Sequence, residues 1–270
     1  MPIEYHHVDV FADRPYTGNS LAVFVDPPPL SSTQMLTITQ ELRHFETIFV
    51  TETSVRVFDL VEELDFAGHP LLGAAAVLGR PSVTFTLRDG REVEVTVDGS
   101  QALLDQGRPS FIPSSPIVSE VAEAMGLHAS DLLEPEVIST GLRYLVIPVR
   151  GGDALARAQI THPDLTSFLA GLGAQFAYLL DISAVEGRHW NNDGVLEDVA
   201  TGSAAGCAAA YLLRHGHIAA GEKVSLSQGR FTGRPSTITI TAYGTSDSVT
   251  RVTVGGNVAK VGTGTLSVAP

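Results

Sequence analysis

Two stretches of this 270-residue chain are apolar or small almost all the way round, and alternating apolar–polar segments lie around them. The first runs from Gly68 through His69, Pro70 and Leu71 to Gly79, the second from Gly202 through Ser203 and Cys207 to Gly216. Both read as helices with marked ends. Pro70 suits a first helical position and Gly79 a C-terminal stop. Ser203 or Thr201 can cap the second helix, Arg214 and His215 suit its last turn, and Gly216 its left-handed end. A helix without a polar face must be surrounded on every side. The alternating segments supply the wrapping: Val83–Leu87, Glu92–Val97 before the turn pair Asp98-Gly99, Thr237–Thr241 and Arg251–Val254. Strands of period two around an all-apolar helix predict a rolled antiparallel sheet closed on that helix. The arrangement occurs once in each half, so the chain reads as an internal duplication. Peripheral helices are predicted after Ser31, which forms a capping box with Gln34, after Ser119 up to about Gly126, and over Pro163 to Gly171. The Pro- and Ser-rich stretch from Gly107 to Pro116 is the expected crossing between halves.

Composition narrows the classes. Hydrophobic residues make up 44% and charged residues 17%, enough to bury a core without covalent staples. The 30 acidic against 17 basic residues give a net charge of −13, with no basic run to neutralise phosphates, so no nucleic-acid partner is expected. The single cysteine, Cys207, excludes an internal disulfide and fits a reducing compartment. No apolar run reaches the roughly 20 residues of a membrane span. The N-terminal residues lack a basic-then-apolar signal pattern. A soluble cytoplasmic protein is expected.

Several residues could carry chemistry. Each central helix opens on glycine beside a polar residue, so free amides and a positive dipole end could hold a carboxylate or an oxyanion. Close packing of small residues explains the same pattern. His69, between Gly68 and Pro70, is placed to move a proton, or it is a capping or core histidine. Glu197-Asp198 precedes the second helix, where acidic residues also favour a helix start. Glu46 opens the strand Ile48-Phe49-Val50 between Phe45 and Thr47, an apolar setting for a carboxylate; a solvent-exposed strand start is the simpler reading. Cys207 lies well inside its helix and reads as a small buried hydrophobe. A mechanism using two opposed thiols is excluded by the cysteine count. His6-His7 and His215-Gly216-His217 lack further ligands at useful spacing. There is no His-Glu-x-x-His metal motif, no Gly-x-Ser-x-Gly elbow, and Gly262-Thr263-Gly264 opens no helix.

Asp65-Phe66-Ala67-Gly68-His69-Pro70 resembles the FAGHP motif of the phenazine-biosynthesis PhzF-like family. Glu197-Asp198-Val199-Ala200-Thr201-Gly202-Ser203-Ala204-Ala205-Gly206 resembles its ED-x-ATGSAAG motif. Gly18-Asn19, Glu46-Thr47, Gln228-Gly229 and Gly233-Arg234-Pro235-Ser236 add matches along the whole chain. The resemblance implies an α+β fold like diaminopimelate epimerase. Two similar domains, each an antiparallel β-barrel around a central α-helix, would flank the site. The expected bounds are 1–114 plus 264–270, and 115–263. It further implies a homodimeric isomerase acting without metal or organic cofactor on a small carboxylate, as the family's trans-2,3-dihydro-3-hydroxyanthranilate isomerase does. Glu46 resembles the proton-shuttling carboxylate, assisted by His69 and Asp198 as the other catalytic residues. Gly68, Gly202 and Ser203 resemble the substrate-binding positions. Thiol-using relatives place cysteines near Ala67 and Thr201, and neither position holds one here. Phe45, Asp59-Leu60, Trp190-Asn191-Asn192 and a short loop between Val50 and Arg56 depart from the family pattern, so the pocket walls differ. A small-anion binding protein, or a related lyase or hydrolase, is the alternative.

Overall fold

The computed structural model describes residues 2–270. The chain folds into two compact units, one of Met1–Asp105 with Gly255–Pro270, the other of Gln106–Val254. The divisions fall nine residues before the expected ends at 114 and 263; at the first, the stretch chosen as a crossing carries a strand that pairs within the second unit.

The first unit contains β1 (Ile3–Val10), β2 (Asn19–Val25), α1 (Ser32–Leu42), β3 (Glu46–Thr51), β4 (Ser54–Phe58), β5 (Glu63–Leu64), α2 (Gly68–Leu78), β6 (Ser82–Thr86), β7 (Glu92–Asp98) and β8 (Gln101–Gly107). Its strands follow the order β1-β2-β3-β4-β6-β7-β8, with β5 beside β4. Strand alternation gives the sheet two apolar faces. Leu21, Val10 and Val8 point at α2, where a Cβ on Gly73 would overlap the Leu21 side chain. Glycine therefore sets how closely helix and sheet approach. On the other face Ala22, Phe24, Phe49 and Phe58 pack under Met35 and Ile38 of α1. Phe24 and Phe49 stack at 4.8 Å, and Phe58 meets Phe49 edge-on. The capping box at Ser31 and Gln34 is present, and Gly79 ends α2 in the left-handed conformation.

The second unit contains β9 (Ser110–Ile112), α3 (Val118–Ala124), β10 (Glu136–Ser139), β11 (Arg143–Val149), α4 (Gly152–Arg157), α5 (Leu165–Gly171), β12 (Phe176–Asp181), β13 (Glu186–Arg188), α6 (Gly202–Arg214), β14 (Val224–Gln228), β15 (Ser236–Thr245) and β16 (Ser248–Leu266). The order is β9-β10-β11-β12-β13-β14-β15-β16. β16 continues past Val254 into the first unit, where Val258–Leu266 pairs antiparallel with β1 and Val258 N–H bonds Ser100 O at 2.9 Å beside β8. α6 is buried along most of its length and packs on β10, β11 and β15. α3, α4 and α5 cover a second apolar layer that includes Val121, Leu155, Leu169 and Leu179.

Apart from the short β5 in the first unit and the leading β9 and α3 in the second, the two units share one internal order: two strands, a helical crossover, two strands, the apolar helix, then three strands. Neither sheet is purely antiparallel, in contrast to the expectation. β2 and β3, β4 and β6, β11 and β12, and β13 and β14 run parallel. A helix connects the strands of each such pair, and a parallel pair requires such a crossover. The central helices are themselves two of these crossovers. Four local expectations also shift. Pro70 is the third residue of α2 rather than the first. Ser119 lies inside α3, whose N-cap is Ile117. α5 begins at Leu165 rather than Pro163, with Asp164 as its N-cap, its carboxylate accepting from Ser167 N. The Gly107–Pro116 stretch includes β9, since Ser110–Ile112 pairs with Val137–Ser139.

Candidate active site

In the first unit, Glu46 opens β3 beside Leu21 of the parallel strand β2. The register turns its side chain to the same face as Leu21, toward α2. His69, the second residue of α2, meets it there: Nδ1 lies 3.1 Å from Glu46 Oε2, with side-chain exposures of 8% and 19%. A carboxylate and an imidazole at this distance can share or exchange a proton. Gly68 begins the helix after Ala67, and no side chain caps that end. Its first amides therefore retain donor capacity.

In the second unit the segment before α6 is anchored on both sides. Glu197 turns away from the helix start and closes a two-pronged ion pair with Arg188, Nε–Oε1 2.9 Å and Nη2–Oε2 2.8 Å. Arg188 also donates to the carbonyls of Leu155 and Ala158 and lies between the rings of Trp190 and Phe231, at 4.2 and 4.1 Å from their centroids. Asp198 turns the other way. Its Oδ2 accepts the Thr201 hydroxyl at 2.7 Å, and its backbone N–H bonds His189 O at 2.9 Å. Thr201 is thus the N-cap residue by position, but its hydroxyl serves Asp198 instead of the helix amides. Ser203 does not cap the helix either, for its Oγ pairs with the Tyr144 hydroxyl at 2.8 Å. The Gly202 carbonyl accepts Gln106 Nε2 at 3.0 Å. Gly206 has no room for a Cβ because the Gln106 amide lies against it.

Burial sets the protonation of this surround. Desolvation lowers the His189 imidazole from its usual 6.5, although the nearby Asp198 charge pulls the other way. Its Nδ1 faces Ala177 O at 2.8 Å and so carries the proton of the neutral ring. Burial, reinforced by Asp198, raises the Tyr178 phenol well above 10, so it remains a donor at neutral pH. The Cys207 thiol is fully buried, points at Ile138 O and is pushed up to about 12, mainly by desolvation. It is the buried hydrophobe the sequence indicates. Among the described residues no group of three or more His, Cys, Asp or Glu is arranged to hold a metal ion, and no helix is long and apolar enough to cross a membrane.

Of the six residues singled out from the sequence, Gly68, His69 and Glu46 lie together in the first unit, and Asp198, Gly202 and Ser203 in the second. Sequence reasoning missed Arg188, Tyr144, Tyr178, His189 and the roles of Thr201 and Gln228. One signal was available: two adjacent carboxylates in extended chain face opposite ways, so Glu197 and Asp198 need different partners.

The family model for phenazine biosynthesis-like protein, PhzC-PhzF, matches residues 8–264. The trans-2,3-dihydro-3-hydroxyanthranilate isomerase of Pseudomonas chlororaphis is 35% identical over 97% of this chain and 99% of its own. The isomerase of the same name from Pseudomonas fluorescens is 34% identical over 97% and 98%. A solved structure described as a predicted epimerase from Pseudomonas aeruginosa is 44% identical, covers 99% of this chain and 100% of its own, and superposes with a TM-score of 0.87. With both motifs in place at the starts of α2 and α6, the chain belongs to the phenazine biosynthesis-like PhzC-PhzF family and is an isomerase.

Proposed function

We propose that this isomerase moves a proton on a small amino- or hydroxy-carboxylate of the trans-2,3-dihydro-3-hydroxyanthranilate type, without metal or organic cofactor, using Glu46 as the shuttle. The observation that carries the reading is the Glu46–His69 pair, 3.1 Å apart and mostly shielded from water at the start of α2. Glu46 takes a proton from carbon and returns one elsewhere, and His69 holds or relays it. Asp198 orients the substrate's polar group and assists proton movement. The N-terminal amides of α2 and α6, at Gly68, Gly202 and Ser203, stabilise charge developing on the carboxylate or carbonyl. The names of the two Pseudomonas relatives support the substrate class. The barrel description of each unit belongs to the same reading, and β16 lying beside both β8 and β1 supports it for the first unit. So does the homodimer, which light scattering of the purified protein tests.

The deciding experiment is proton NMR of dihydro-hydroxyanthranilate in heavy water with wild type and Glu46→Gln. Isomerisation with deuterium incorporation is expected from the wild type. A loss of about 10²–10⁴-fold in rate is expected in the variant, the range of a positioned general acid–base, with thermal stability retained. A fully active Glu46→Gln protein sinks the assignment. Activity that survives exhaustive chelation supports the metal-free mechanism, and activity lost on chelation and restored by metal overturns it.

A further inference from the structure

Behind Asp198 lies a buried network that the proposed chemistry does not use. Gln228 ends β14 and is 1% exposed, Tyr178 of β12 is fully buried, and Thr201 is 6% exposed. The Gln228 amide makes four bonds. Its Oε1 accepts from Tyr178 Oη at 3.0 Å and from Thr201 N at 3.2 Å. Its Nε2 donates to Asp198 O at 3.0 Å and to Thr201 Oγ1 at 2.9 Å. A side-chain amide has two acceptor sites and two donor hydrogens, so the group is saturated.

The direction of every bond follows. A backbone N–H can only donate and a backbone carbonyl can only accept, so Thr201 N and Asp198 O fix which end of the Gln228 amide is oxygen. With Nε2 thus identified, Thr201 Oγ1 is an acceptor toward Gln228. Its single hydrogen then goes to the remaining partner, Asp198 Oδ2, at 2.7 Å. Tyr178 likewise must donate. Two glycines make the room: a Cβ on Gly187 would overlap the Tyr178 hydroxyl, and one on Gly229, at φ +80°, would meet the carbonyls of Arg234 and Val199. Titratable groups coupled to the Asp198 charge from neighbouring segments include Tyr178 of β12 and His189, which directly follows β13.

We propose that Gln228 and Thr201 are positioning residues: Gln228 dictates the direction of the Thr201 hydroxyl, and that hydroxyl holds the Asp198 carboxylate by Oδ2 in the orientation the reaction needs. The proposal rests on the isomerase reading through the role of Asp198. It goes beyond that reading by assigning work to two buried residues outside its catalytic and substrate-binding set. A half-satisfied network would let the hydroxyl rotate and the carboxylate follow, whereas the saturated one has a single arrangement.

The test compares Thr201→Val, Thr201→Ser, Gln228→Glu, Asp198→Asn and the double variant Thr201→Val/Asp198→Asn. Turnover of dihydro-hydroxyanthranilate and crystal structures of the variants are the readouts. Thr201→Val keeps the shape and removes the donor. It is expected to lower kcat at least about tenfold with KM changed less than about twofold, the pattern of an interaction realised in the transition state. Thr201→Ser restores the rate, and Gln228→Glu, which cannot donate when ionised, reproduces the loss. In the Asp198→Asn background Thr201→Val should cost nothing further. The Asp198 carboxylate should rotate in crystals of Thr201→Val and stay in place in Thr201→Ser. An undiminished effect of Thr201→Val without Asp198, or an unmoved carboxylate in its crystal, overturns the proposal and leaves the isomerase reading intact. A fully active Asp198→Asn protein overturns it too, and the Glu46 assignment keeps its own test. If the wild type does not turn the substrate over, that reading fails, and the carboxylate orientation in the variant crystals alone decides the proposal.

Discussion

Replacing Arg188 by methionine keeps an apolar stem between Trp190 and Phe231 and removes the guanidinium. Glu197, whose side chain is 14% exposed, then loses both prongs of its ion pair. The carbonyls of Leu155 and Ala158 lose their donor from this side chain at the same time. Removing one partner of a buried pair typically costs about 3–5 kcal/mol, because the remaining charge stays desolvated. For a chain of this size, each kcal/mol lowers the melting temperature by about 2–4 °C, so Arg188→Met should melt roughly 6–20 °C below wild type. Urea unfolding followed by far-ultraviolet circular dichroism gives the free energy, with an unchanged m value showing that the denatured state is the same. Adding Glu197→Gln should recover part of the loss, since the stranded charge is gone. An Arg188→Met protein within about 1 kcal/mol of wild type, on the scale of an exposed pair, refutes the reasoning and makes this contact equivalent to a surface bridge.

Two further outcomes are expected. The His189 imidazole is held below its usual 6.5, so as pH falls under that value the unfolded chain binds a proton that the native state refuses. Stability should therefore fall by up to about 1.4 kcal/mol per pH unit on this account. His189→Asn, which retains a donor for Ala177 O, should show a shallower fall between pH 7 and 5.5 by urea titration; parallel curves would refute it. Cys207, its thiol pushed up to about 12, should resist iodoacetamide at pH 8 until the protein is unfolded, and Cys207→Ala should keep its activity. Stoichiometric labelling of the native protein within minutes contradicts this.

The central helices were legible because a segment with no polar face has one physical solution, burial on all sides, and both α2 and α6 are buried in that way. The duplication was legible for the same reason. The parallel pairs were not, since alternation of apolar residues is identical in parallel and antiparallel strands and strand direction is decided by the connections. His69 and Asp198 stood out as candidates through the two long motifs, and Glu46 through the shorter Glu46-Thr47 match. Thr201 and Ser203 kept their places and changed their roles, because a hydroxyl at a helix start has several partners within reach and the sequence does not order them. Arg188 was hidden by distance along the chain: its carboxylate is nine positions away, but its carbonyl partners lie thirty or more.

The nineteen-residue β16 begins in one unit and ends in the other, so the first unit is not a continuous piece of chain. During synthesis β1 emerges before the second unit, and the strand that completes its edge, from Val258 to Leu266, emerges only after it. Until then the nascent first unit presents an open strand edge of the kind that recruits foreign chains. A ribosome stalled before residue 255 therefore holds a second unit with its full sequence and a first unit lacking its last strand. Circular permutation that joins the present ends and opens a loop elsewhere would make that strand available first, and should raise the yield of folded chain in a cell without holding chaperones.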